Sequence, residues 1–102
     1  MGLPKNIKFG GMLYAVKKMA LENARYVGHI SYDAEIIEVK KGLSRQNEAQ
    51  VVIHEIIHGL LTHGGDTEIS GDEHFVDRFA YAMHALIVDN PKLVDHWRSL
   101  SE

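Results

Sequence analysis

The chain has 102 residues, of which 45% are hydrophobic and 25% are charged, with a net charge of −3 and no cysteine. This length predicts one domain over residues 1 to 102, and the composition is typical of soluble globular proteins. The negative net charge gives no general attraction to DNA or RNA, so we expect no direct nucleic-acid binding, and the lack of cysteine excludes disulfides and thiolate metal sites.

The hydropathy pattern predicts no membrane association. Every apolar run is shorter than the ~18 residues that a spanning helix needs. The start of the chain, MGLPKNIKFGG, lacks the apolar core of a signal peptide. We therefore expect a cytoplasmic protein, which could be a monomer or a homodimer.

Two patterns in the first part of the chain are typical of β-hairpins. In IKFGGMLYAV, residues 7 to 16, β-type residues flank Gly10-Gly11, a pair that readily adopts the positive φ angles of a tight turn. In YVGHISYDAEIIEVKKG, apolar and polar residues alternate on both sides of Asp33-Ala34, and Gly42 closes the pattern. Residues 17 to 25 between them predict either a short helix or a long connection. The two hairpins together predict a small antiparallel sheet.

The second half of the chain predicts helices. Ser44 is a suitable N-cap for a helix to about residue 62, and we expect its apolar stripe to form the core while its histidines face the other way. A polar loop, THGGDTEISGDE, follows, and a second helix is predicted from about Asp72 to Val88. Pro91 ends that helix, and KLVDHW adds one or two further turns. The predicted fold class is α+β. The apolar stripe of the first predicted helix consists of Ala49, Val52, Ile53, Ile56, Ile57, Leu60 and Leu61.

The stretch VVIHEIIHGLLTHGG, residues 51 to 65, places polar residues inside an apolar helix. His54 and His58 are four residues apart, so their rings project from one helical face and can bind the same ion. Glu55 completes the motif H-E-x-x-H, in which two neutral imidazoles hold Zn²⁺ and the glutamate accepts a proton from the metal's water. This pattern predicts a zinc site of the catalytic type.

A catalytic zinc site needs a third protein ligand, and Glu73 is the best candidate. It opens the second helix, and Asp77 follows four residues later on the same face. In this E-x-x-x-D arrangement the aspartate can accept the free ring N–H of a ligand histidine, which we assign to His54.

Competing third ligands are His63, Asp66 and His74. The metzincin pattern requires a glycine where Leu61 stands and a histidine where Gly64 stands, so that pattern fails. We interpret His63 as a helix-end residue near the last carbonyls. His74 is adjacent to Glu73 and points elsewhere around the helix, which makes it an alternative to Glu73.

These motifs resemble the ImmA/IrrE metallopeptidases of bacteria and their phages, especially the short members found in phages and prophages. The resemblance covers residues 7 to 92 and rests on GHISYDAEIIEV, HEIIHGLLTH and EHFVDRFA. It implies a minimal zincin-like metalloprotease domain, in which the hairpins pack on the H-E-x-x-H helix and a second C-terminal helix. It also implies that His54, His58 and Glu73 are zinc ligands and that Glu55 is the general base. Asp77 would accept the free ring N–H of a ligand histidine.

The resemblance further implies a zinc-dependent metallo-endopeptidase that hydrolyses a peptide bond by Glu-assisted attack of zinc-bound water. Its protein substrate would be a DNA-binding transcriptional repressor. The main alternative is a non-catalytic metal-binding module that acts through protein–protein interaction. A hydrolase of a small non-peptide substrate is a second alternative, but it would require an enclosed pocket.

Overall fold

The structure is a computed structural model that describes residues 2 to 20 and 26 to 101. Over these residues the fold is α+β, with a four-stranded sheet and four helices. The strands are β1 (Asn6–Phe9), β2 (Met12–Met19), β3 (Gly28–Ser31) and β4 (Ile36–Lys40). The helices are α1 (Arg45–His63), α2 (Thr67–Ser70), α3 (Glu73–Asp89) and α4 (Pro91–Ser99).

Both predicted hairpins are confirmed. Strands β1 and β2 pair in antiparallel register through a turn in which Gly10 and Gly11 have φ angles of 56° and 78°. These angles favour glycine because a side chain would be strained there. Strands β3 and β4 also pair antiparallel, with Ile30 opposite Ile37. Two local signals, glycine pairs and alternating hydrophobicity, were sufficient to locate these elements.

The sheet that joins the hairpins is mixed, so the prediction of an antiparallel sheet is wrong. The strand order is β1-β2-β4-β3, and β2 runs parallel to β4. The prediction of a helix or connection from residue 17 is also wrong for residues 17 to 19, which extend β2 and pair with residues 38 to 40 of β4. Residues 21 to 25 lie outside the described residues. This order makes β4 a central strand, and its Ile37 and Val39 are fully buried.

Helix α1 is predicted correctly in its extent, and the Ser44 hydroxyl caps it by accepting a hydrogen bond from the Asn47 amide at 3.1 Å. The predicted core face of this helix is confirmed for five residues and is wrong for Leu60, which is 47% exposed and lies outside both apolar clusters. The sheet covers one side of the helix and α3 covers another. The confirmed core residues are Val52, Ile53, Ile56, Ile57 and Leu61.

Two apolar clusters hold these layers together. In the first, Val52 of α1 packs on the buried residues of the sheet, and in the second, Ile57 of α1 packs on Val76 and Ala80 of α3. Helix α1 belongs to both clusters and is the central element of the fold. The sheet residues of the first cluster are Tyr14, Ile30, Ile37 and Val39.

The segment between α1 and α3 contains structure that the sequence did not predict. A single helical turn, α2, lies within the predicted loop, and Asp66 caps it by accepting a hydrogen bond from the Ile69 amide at 3.1 Å. Helix α3 then begins at Glu73 after the N-cap Asp72, close to the predicted start. Across the described ranges, none of the helices has the length and apolar character needed to cross a membrane.

Candidate metal centre

The structure brings together the three residues that the sequence predicts as ligands. The Nε2 atoms of His54 and His58 are 3.1 Å apart. The Glu73 carboxylate reaches both rings, with one oxygen 3.1 Å from Nε2 of His54 and the other 2.9 Å from Nε2 of His58. One donor atom from each residue therefore points toward a common centre, although the residues come from two helices.

The spacing of these atoms fits a metal ion. Ligand atoms that lie ~2.0–2.1 Å from a tetrahedral zinc ion are roughly 3.3 Å from one another. The observed separations of 2.9 and 3.1 Å are close to this value. Two imidazoles and one carboxylate are also the ligand types that first-row divalent metals accept. His54, His58 and Glu73 could therefore hold such an ion and leave a fourth position open.

Asp77 contacts the ring nitrogen of His54 that faces away from the candidate metal position. Its carboxylate oxygen is 2.7 Å from Nδ1 of His54, a distance typical of a charge-assisted hydrogen bond. Asp77 and Glu73 are one turn apart on α3, so they contact opposite sides of the same ring. The aspartate keeps a proton on Nδ1, and the lone pair of Nε2 is then directed at the metal position.

Glu55 lies beside these donors without being one of them. Its carboxylate is 4.0 Å from Nε2 of His54, and only 8% of the residue is exposed. The pKa of Glu55 is raised from its usual 4.5 to about 7, chiefly because burial disfavours the charged form. The basic ring of His54 opposes this effect, whereas the carboxylates of Glu73 and Asp77 add to it.

A cleft of about 610 Å³ opens over this group of residues. One wall is the strand β3 with its flanking tyrosines, and the other includes the beginning of α3. Strand β3 is at the edge of the sheet, with β4 as its neighbour on one side. The cleft is lined by residues 26 to 30, Tyr32, Gln50 and Val51, together with the candidate metal ligands, Glu55 and Asp77.

The competing third ligands lie elsewhere. Nε2 of His63 is 2.7 Å from the hydroxyl of Tyr14, so this histidine joins α1 to the sheet and does not contact the last carbonyls through that nitrogen. Asp66 caps α2. His74 lines a separate surface depression with Phe75 and Arg78. Among the described residues, none of these three belongs to the group that could hold a metal ion.

Sequence reasoning missed one group of hydroxyls beside His58. Ser70 of α2 is 6% exposed, and its hydroxyl donates to the carbonyl oxygen of His58 at 3.0 Å. The Thr62 hydroxyl is 2.8 Å from that of Ser70 and 3.1 Å from that of Tyr32. A serine in a polar loop has no distinguishing pattern, and only the fold of α2 against α1 places it here.

Comparisons of the chain with protein-family models, with curated proteins and with solved structures find no match. The function is therefore inferred from the geometry of this site and from the motifs that form it.

Proposed function

We propose that the protein is a zinc-dependent metallo-endopeptidase. The observation that carries the proposal is the position of Glu55. Its buried carboxylate lies beside a set of three metal donors, at the base of an open cleft with an edge strand along it. This combination supports hydrolysis of an extended peptide at the metal position.

A zinc ion in this site would lower the pKa of bound water toward ~7 and polarise the carbonyl group of a substrate. The protein's own residues supply the remaining functions. His54, His58 and Glu73 hold the ion, and Asp77 orients the ring of His54. Glu55 accepts the proton of the attacking water and returns it to the amine that leaves, so that it ends the reaction in its starting state.

The edge strand favours a peptide substrate. An extended peptide can add to the free edge of a sheet through main-chain hydrogen bonds. Among residues 2 to 20 and 26 to 101, β3 has a strand on one side only, and its other edge runs along the cleft above α1. An open cleft also favours a polymer over a small molecule, which a catalytic site normally encloses. The resemblance to the ImmA/IrrE peptidases makes a transcriptional repressor the candidate substrate.

The alternative function is that of a non-catalytic metal-binding module that holds a partner protein. Structural zinc sites are usually closed by four protein ligands. The described residues supply three ligands here, and the group faces the cleft. The open position and the adjacent carboxylate of Glu55 together favour the enzyme.

The variant Glu55→Gln separates the two functions. We expect it to retain zinc and to cleave peptides ~10²–10⁴-fold more slowly, because the general base is lost while the ligands remain. The substrates would be a synthetic peptide library, read by mass spectrometry, and a helix-turn-helix repressor encoded beside the gene. Glu68→Gln is the matched control, because Glu68 is exposed on α2. Equal cleavage by Glu55→Gln and the control would contradict the proposal.

A further inference from the structure

Ser70 makes two contacts with the same histidine. Its hydroxyl oxygen is 3.0 Å from the carbonyl oxygen of His58 and 3.5 Å from Nδ1 of the His58 ring. Both contacts are buried. The serine comes from α2, twelve residues beyond the histidine, so the turn between α1 and α3 brings it back against the metal site.

The hydroxyl of a serine has one hydrogen and two lone pairs. Because Ser70 donates its hydrogen to the carbonyl of His58, it can only accept at the ring nitrogen. It therefore favours the form of His58 that carries its proton on Nδ1. In that form the lone pair of Nε2 points toward the candidate metal position, 2.9 Å from the carboxylate of Glu73. Ser70 thus favours the same ring form of His58 that Asp77 favours in His54, through a longer contact of 3.5 Å as against 2.7 Å.

The serine is itself held in place. The Thr62 hydroxyl, one turn beyond His58 on α1, is 2.8 Å from the Ser70 hydroxyl. Because the Ser70 hydrogen goes to the carbonyl of His58, Thr62 must be the donor to Ser70. The hydroxyl of Tyr32, 3.1 Å from that of Thr62, is a competing acceptor for the same hydrogen.

We propose that Ser70 is a positioning residue for His58, and that Thr62 supports it. The inference rests on the proposed function, because it assumes a zinc ion on Nε2 of His58. Mutation of a residue that hydrogen-bonds to the non-coordinating ring nitrogen of a metal-binding histidine commonly changes the metal affinity by ~10–100-fold. The effect of Thr62 should be smaller than that of Ser70, since Thr62 acts through Ser70.

The test measures zinc affinity by competition with a chromophoric chelator in the full-length protein. We expect Ser70→Ala to weaken zinc binding ~10–100-fold and Thr62→Val to weaken it less. Ser99→Ala is the matched control, because Ser99 also donates to a main-chain carbonyl, at 2.7 Å, but at the end of α4. This control should bind zinc like the wild type.

A second measurement reports on the histidine directly. In the zinc-loaded wild type, the Nδ1–H proton of His58 should give a protected downfield NMR signal, and Ser70→Ala should lose it through exchange with water. A merely structural serine would not change that signal in a folded protein. If Ser70→Ala does not fold, Thr62→Val decides, since valine has almost the same shape as threonine.

Two results would overturn the inference. If Ser70→Ala folds, the contradicting result is a zinc affinity equal to that of Ser99→Ala. If it does not fold, the contradicting result is a Thr62→Val variant that binds zinc as tightly as the wild type. Failure of the proposed function is distinguishable, because a wild type that binds no zinc, or binds it and cleaves no peptide, contradicts that proposal first.

Discussion

Removal of the Glu55 charge should stabilise the metal-free protein. The pKa of Glu55 is about 7 in the folded protein, above its usual value of 4.5, because burial disfavours the carboxylate. The folded state therefore holds the proton more tightly than the unfolded state does. As the pH rises from about 4.5 through 7, the unfolded chain releases this proton first, and the folded state loses stability.

The size of this effect follows from the pKa values of Glu55 in the unfolded and folded states. A pKa difference between 4.5 and about 7 corresponds to roughly 3 kcal/mol in the free energy of unfolding, at ~1.4 kcal/mol for each pKa unit. A small domain is stable by only ~5–15 kcal/mol, so the loss is a large fraction of the total. Glutamine is neutral at every pH and resembles the protonated glutamate. Glu55→Gln should therefore equal the wild type at low pH and be more stable above pH 7.

The assay is urea unfolding of chelator-treated protein at several pH values, followed by circular dichroism. The free energy of unfolding of Glu55→Gln minus that of the wild type should rise from near zero below pH 4.5 toward roughly 3 kcal/mol at pH 8. Zinc should reduce this difference, because its positive charge stabilises the carboxylate. A wild type that is as stable as the variant at pH 8 without metal would refute the argument from burial.

Two further predictions concern the third ligand and the packing of α1. Glu73→Ala should weaken zinc binding far more than His74→Ala, because Glu73 reaches both histidines and His74 lines another surface. Chelator competition measures both affinities, and equal losses would show that Glu73 is not the third ligand. Gly59→Ala should lower the free energy of unfolding by ~1–3 kcal/mol, since its new Cβ would overlap the ring of Phe9. Gly71→Ala is the control in urea unfolding and should change little, because the nearest atoms lie 3.5 Å away.

The features that could be predicted from sequence are those that depend on nearby residues. The pair Gly10-Gly11 predicts its hairpin because the turn needs positive φ angles at both positions. His54 and His58 share a helical face because they are four residues apart. Glu73 follows from the requirement for a third ligand and from its place at the start of a helix. The hairpin and the histidine pair each depend on one element, whereas Glu73 depends on the ligand requirement of zinc as well.

The features that were missed depend on contacts between elements. An alternating pattern places Ile37 in a strand, but it does not say that β4 lies between β2 and β3. Similarly, the apolar stripe of α1 did not indicate that Leu60 would be exposed or that Glu55 would be buried. Ser70 is the extreme case, since its role depends on a one-turn helix that no periodicity can predict.

The close approach of β3 to α1 links the fold to the chemistry of the site. Gly28 begins β3, and a Cβ at this position would overlap the side chain of Val51 and lie 3.4 Å from a carboxylate oxygen of Glu55. Because glycine has no side chain, the strand can lie directly over the helix. That contact helps to bury Glu55, and burial is the main cause of its raised pKa. The same strand forms the edge along which we propose that a peptide binds. A larger residue at Gly28 would therefore move this edge and expose Glu55 in a single change.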